Sequence, residues 1–188
     1  MKTKHIILIA FVTVVFIQLM VPARMITTYE RILDSGKEYR FKIAPVDPND
    51  PLRGKFIRIN PEEREFAVDS LNDWKNNESV YVKLTTDAAT GMSKIKSIVR
   101  EKPQDTNDFI EVKLGYVQQK RAFIEFPFDR YYLDEWTAPQ IEKLYSKAQR
   151  DTNSISYVKV RVIDGEAVLK DLVINGMSAT EINPNVNH

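Results

Sequence analysis

The sequence predicts a mainly β protein of the α+β class. It has an N-terminal membrane helix followed by an antiparallel β region made of two tandem related halves, with one or two short helices. Three observations carry this reading: an apolar run near the N-terminus, period-two alternation that recurs after residue 38, and internal repetition of a hairpin and of the segment before it.

The apolar run Ile6–Met20 reads IILIAFVTVVFIQLM, broken only by Thr13 and Gln18. Extended to Ile26 it would span roughly 31 Å as a helix, enough to cross a bilayer core. Lys2, Lys4 and the α-amino group precede it and place the N-terminus in the cytoplasm, against an opposing pull from Arg24 and Arg31. β-branched residues and Phe on every face suit lipid better than a protein core. Val21-Pro22-Ala23 also fits a signal-peptidase cut, but the run is longer than most signal cores, so residues 1–26 are read as an uncleaved anchor. Residues 6–26 would contact the lipid bilayer, and residues 27–188 would form an extracytoplasmic domain.

Four segments then alternate with period two. Tyr39, Phe41 and Ile43 form one inward set, and Val80, Val82 and Leu84 a second. Ile110, Val112, Leu114 and Tyr116 form a third, and Val158, Val160 and Val162 a fourth. Charged or polar residues sit between them, so each is a strand with one wet face, as in antiparallel sheets. Two helices are expected. Pro61–Trp74 opens with proline and three acids. Thr137–Arg150 has Thr137 and Gln140 as a capping box, then a stripe of Ile141, Leu144, Tyr145 and Ala148.

The repetition is specific in spacing. Tyr81-Val82-Lys83-Leu84 matches Tyr157-Val158-Lys159-Val160. Gly91, Ile95-Lys96, Ile98 and Val99 then match Gly165, Leu169-Lys170, Leu172 and Val173, with the first turn two residues longer. Upstream, Phe41, Pro45, Val46 and Asp47 align with Phe123, Pro127, Phe128 and Asp129. A tandem duplication over about residues 37–102 and 119–178 is inferred, which predicts equivalent places for Asp47 and Asp129.

Composition limits the chemistry. The chain has 188 residues, 28% charged and 43% hydrophobic, with net charge +1, so no polybasic surface recommends nucleic acid. Setting aside Lys2, Lys4 and Arg24 leaves 24 basic against 26 acidic residues from Thr27 onward, a net of −2. There is no cysteine, and the two histidines, His5 and His188, lie at the chain ends. A catalytic triad or a Cys- or His-ligated metal is therefore not expected, nor is a cofactor.

Two segments stand out. Ala44-Pro45-Val46-Asp47-Pro48-Asn49-Asp50-Pro51-Leu52-Arg53-Gly54 is a stiff loop in which Asp47 and Asp50 can cap turns and Arg53 can clamp a carboxylate. It lacks the glycine and distal glutamate of an EF-hand calcium loop. Phe128-Asp129-Arg130-Tyr131-Tyr132-Leu133-Asp134-Glu135-Trp136 sets aromatics beside acids and an arginine. It reads either as an edge seal with solvated charges or as a ledge for sugar or peptide. Glu135 with Asp129 or Asp134 would be the acid–base pair of a hydrolase. Ser93-Lys94-Ile95-Lys96 has S-x-x-K spacing, but on a strand its ends face opposite ways.

The anchor, a Ser-Gly before a strand, and A-P-V-D-P-N-D-P-L-R-G leading into another strand together resemble the GDYXXLXY protein family. Val80-Tyr81-Val82, Arg130-Tyr131-Tyr132 with Glu135 and Glu142, and Gly165-Glu166-Ala167-Val168 leading to Asn175-Gly176 resemble it too. In the namesake stretch Gly54 matches and Lys55 replaces Asp. Phe56 and Ile59 replace Tyr and Leu, and Pro61 replaces the last Tyr. The resemblance implies a bacterial, membrane-anchored protein, with a polytopic membrane protein as partner and no assigned activity. The expected function is a non-enzymatic envelope protein of the inner membrane that binds or assembles with such a partner. The alternatives are a ligand- or glycan-binding module using Tyr131, Tyr132 and Trp136 beside Arg53, and the carboxylate hydrolase.

Overall fold

The computed structural model describes residues 2–44, 56–68, 74–118, 120–133, 137–150 and 154–182. In chain order the elements are α1 (Lys2–Ser35), β1 (Lys37–Lys42), β2 (Phe56–Arg58), β3 (Glu65–Ala67), β4 (Ser79–Thr86), β5 (Ser93–Val99), β6 (Phe109–Gln118) and β7 (Arg121–Glu125). They continue with β8 (Arg130–Tyr132), α2 (Ala138–Arg150), β9 (Ser156–Ile163), β10 (Glu166–Ile174), β11 (Met177–Ser178) and α3 (Ala179–Ile182). The chain is mainly β with one long apolar helix at its N-terminus, as the sequence predicts.

α1 runs past the anchor expected at residue 26 and ends at Ser35, about 51 Å in all. Its most apolar window is wholly unburied, and it is long and apolar enough to cross a membrane. Its last turn is different. Ile32 is buried, the Gly36 amide donates to the Ile32 carbonyl at 2.9 Å, and β1 starts at the next residue.

The strands form a four-stranded sheet, β1-β9-β10-β11, a five-stranded sheet, β3-β7-β6-β4-β5, and a two-stranded ribbon, β2-β8. Every ladder within these sheets is antiparallel. Among the described residues the Arg40 amide donates to Ser93 Oγ at 3.0 Å and the Glu111 amide to the Gly165 carbonyl at 2.8 Å, which ties the larger sheets together. One core fills the space between them. Tyr39, Phe41 and Ile43 meet Val80, Val82, Leu84, Ile110, Leu114, Val158 and Val160 there, each nearly or fully removed from water. Ile141, Tyr145 and Ala148 of α2 join the same core.

The two hairpins share a detail beyond sequence spacing. Tyr81, Val82 and Lys83 pair with Val99, Ile98 and Ser97, then Leu84 pairs with Ile95, so Lys96 is the extra residue of a bulge. Tyr157, Val158 and Lys159 pair with Val173, Leu172 and Asp171, then Val160 pairs with Leu169, so Lys170 is the extra residue. The third strand is antiparallel in both cases, β6 on β4 and β1 on β9. The upstream match is not matched in place: Phe41 lies on β1 beside β9, whereas Phe123 lies on β7 beside β6 and β3. Asp47 lies outside the described residues.

Two local expectations fail. The helix expected over Pro61–Trp74 is extended chain where it is described. Pro61 bridges Ile43, Glu65–Ala67 pairs with β7, and the acids that suggested a helix start serve other strands. Glu62 meets Lys42 at 3.1 Å, Glu65 meets Arg121 at 2.8 Å, and Glu63 accepts from the Ile95 amide. Tertiary pairing overrides the weak local preference. Tyr116, expected on the inward face of its strand, points outward. Leu114 pairs with Ile124 and Val117 with Ala122, so β6 carries one residue more than β7 and its phase reverses after Gly115.

Candidate functional site

The ribbon β2-β8 pairs the strand that follows the proline-rich segment with the start of the second segment singled out in the sequence. Phe56 faces Tyr132, Ile57 faces Tyr131 and Arg58 faces Arg130, and the Ile59 amide donates to the Asp129 carbonyl at 2.8 Å. Asp47, Asp50, Arg53 and Gly54 lie outside the described residues, as do Asp134, Glu135 and Trp136. The described ends of both segments are fixed around the ribbon. The Ala44 amide donates to the Asn60 carbonyl, and the Tyr145 hydroxyl of α2 reaches the Ala44 carbonyl at 3.5 Å. Ala44 thus lies beside Asn60, and Phe56, where the described chain resumes, lies beside Tyr132.

The ribbon has two unlike faces, because neighbours on a strand point opposite ways. Outward, Tyr132 is 69% exposed and its ring lies 6.1 Å from that of Phe56, while the Arg130 guanidinium sits 5.2 Å over the Phe56 ring. Asp129 is exposed and pairs with Arg130 at 3.4 Å. Inward, Ile57 is buried and Tyr131 half-buried. Burial, and then the charge of Asp171, pushes the Tyr131 phenol up to about 12.

Asp171 is a residue that sequence reasoning passes over. It is buried on β10, accepts from Ser178 Oγ at 2.7 Å, and pairs with Lys159 at 3.2 Å, while its Oδ1 has no hydrogen-bond partner. The sequence signal is a carboxylate beside Lys170 in a strand, Glu166–Ile174, whose remaining interior residues are apolar.

Beside the ribbon lies a cavity of about 580 Å³. Its polar lining is Arg58, Asn60, Arg64, Glu125 and Asp129, and its aromatic lining includes Tyr116, Phe123, Phe126 and Phe128. Phe126 and Phe128 stack at 5.1 Å and both pack on Phe41, so this part of the lining continues into the core. Arg64 Nη1 donates to Asn60 Oδ1 at 2.7 Å, which orients both side chains. Among the described residues no group of His, Asp and Glu side chains is placed to hold a metal ion.

Comparison with curated proteins and with solved structures finds no match. The model of the GDYXXLXY protein family matches residues 18–172. That span takes in the second half of α1, β1 to β9 and most of β10, and with them the β2-β8 ribbon to which the namesake stretch contributes β2. The chain belongs to the GDYXXLXY protein family.

Proposed function

We propose that this chain is a non-enzymatic, single-pass protein of the bacterial inner membrane. Its N-terminus is cytoplasmic, and its extracytoplasmic β region is a binding or assembly subunit for a polytopic membrane protein. The observation that supports this reading is the join between α1 and the β region. The apolar part of α1 is bare, while its last turn packs through Ile32, and the Gly36 carbonyl accepts from Arg161 Nη1 at 2.7 Å. No loop separates the helix from β1, so the β region is held at a set height and angle to the helix. Fixed geometry favours docking to a neighbour in the same bilayer, whereas a collecting module on a tether would need a flexible linker.

The test is a mild-detergent pulldown of tagged full-length protein from native membranes, read by mass spectrometry. One control has α1 residues 6–26 replaced by an unrelated apolar helix, and a second lacks residues 47–54. A single membrane protein in stoichiometric yield, lost in either control, is the expected result. Recovery of the chain alone in every arm contradicts the proposal.

A further inference from the structure

The outward turn of Tyr116 is unexpected on energetic grounds. A tyrosine in phase with Ile110, Val112 and Leu114 would bury most of its ring, and burying apolar surface is favourable by roughly 25 cal/mol per Å². Instead, the extra residue in β6 sets Gly115 and Tyr116 against Phe123 and places the ring on the wet face. There it stacks on Phe123 at 4.0 Å with 20° between the planes and stays 47% exposed. Bulges that re-aim a side chain recur beside binding sites. Both rings line the 580 Å³ cavity.

The glycine of the bulge has its own role. A Cβ on Gly115 would lie 2.7 Å from Glu125 Oε1, so the absence of a side chain lets the Glu125 carboxylate lie against the strand at the cavity wall. The lining charges cancel: Arg58 and Arg64 are matched by Glu125 and Asp129, with the Asn60 amide between them in character. An anion or a cation therefore meets lining groups of both signs. A ligand without charge that both donates and accepts hydrogen bonds can use every group. Sugar hydroxyls do both, and the C–H face of a pyranose ring packs on an exposed aromatic such as Tyr116. The volume falls in the range of small-ligand sites and suits one or two sugar rings.

We infer that the cavity between the β2-β8 ribbon and the β6-β7 pair binds a neutral oligosaccharide. Tyr116 is the stacking platform, and Asn60, Arg64 and Glu125 are hydroxyl partners. This site is distinct from the ledge expected at Tyr131, Tyr132 and Trp136, and it does not depend on a membrane partner.

The test uses the full chain in a detergent without a sugar headgroup, titrated calorimetrically with maltotetraose, cellotetraose and chitotetraose into the millimolar range. At least one should bind saturably, and Tyr116→Ala should weaken it by about tenfold or more. Because Tyr116→Ala also uncovers Phe123, Arg64→Ala and Gly115→Ala serve as further variants. Both should weaken binding while the thermal unfolding midpoint stays near that of the unsubstituted chain. No binding by any of the three sugars overturns the inference, as does binding that Tyr116→Ala and Arg64→Ala leave unchanged. Tyr116-dependent binding of an uncharged tetrapeptide in preference to every sugar also overturns it and reassigns the cavity to peptide.

Discussion

Arg161 on β9 donates from Nη1 to the Gly36 carbonyl, 2.7 Å away and 125 positions earlier in the chain. Gly36 is the single residue between α1 and β1. A Cβ there would collide with the Ile32 carbonyl oxygen and lie 3.1 Å from Arg161 Cβ. The helix end and the sheet are thus packed backbone to side chain, with no room for a larger residue.

Arg161→Ala should destabilise the β region by about 1–3 kcal/mol, since it leaves that carbonyl without its donor. Limited proteolysis should then cut near residue 36 in the variant and not in the unsubstituted chain. Equal stability and an unchanged cleavage pattern would show that the join is held by Ile32 packing alone.

Gly165→Ala should cost more, about 2–4 kcal/mol. Asp164 and Gly165 both have positive φ, 56° and 92°, and form the two-residue turn between β9 and β10. An added Cβ would also lie 2.8 Å from the fully buried ring of Phe109, beside the bridge that ties the two sheets. Chemical denaturation measures the loss. A variant as stable as the original would mean the turn can change type at no cost.

The chain should lose stability on the acid side through Asp108. Lys37 Nζ lies 2.8 and 2.7 Å from its two carboxylate oxygens, and that pairing, followed by Tyr39, holds the carboxyl below its ordinary value. A depressed carboxyl adds stability above the unfolded value of ~3.9, and the gain disappears as pH falls through the folded-state value. Lys37→Met should therefore lower the unfolding midpoint at neutral pH, by an amount that shrinks as pH falls through the folded-state value of Asp108. A difference that persists at low pH would assign the effect to packing.

The alkaline limb rests on two phenols. Tyr39 is raised by burial and then by the Asp108 carboxylate, and Tyr131 reaches about 12 by burial and then the charge of Asp171. Unfolded tyrosine ionises near pH ~10, so the unfolded state gains as pH rises past that point and stability falls until the folded phenols also ionise. Tyr131→Phe should flatten this fall between pH ~10 and ~12. Spectrophotometric titration of the phenols against unfolding midpoints checks it.

The hairpins were legible because alternation is a local signal: Val80, Val82 and Leu84, like Val158, Val160 and Val162, need only their own strand to declare a face. The equal spacing of Lys96 and Lys170 also has a physical counterpart, because each is the extra residue of the same bulge. The stretch from Pro61 was misread because Glu62, Glu63 and Glu65 mimic a helix start, while their partners Lys42, the Ile95 amide and Arg121 are remote in sequence. The signal for Tyr116 was present, since a glycine within a strand often marks a bulge, but its direction follows only from the pairing with β7. The meeting of Phe56 with Tyr132, and the burial of Asp171 beside Tyr131, depend on topology that no local pattern carries.

The helix that reaches Ser35 and passes at once into β1 has a rotational consequence. Along an α-helix each residue turns the chain by about 100°. With no swivel between the two, the compass bearing of the β2-β8 ribbon around the helix axis is fixed by how many residues stand between the apolar run and Gly36. A single insertion in Thr27–Ser35 would swing that ribbon by about a quarter turn, and four would bring it back close to its starting bearing. The count of residues in this stretch, more than their identity, sets the bearing the ribbon takes around the helix axis, and with it the side turned toward the partner we propose.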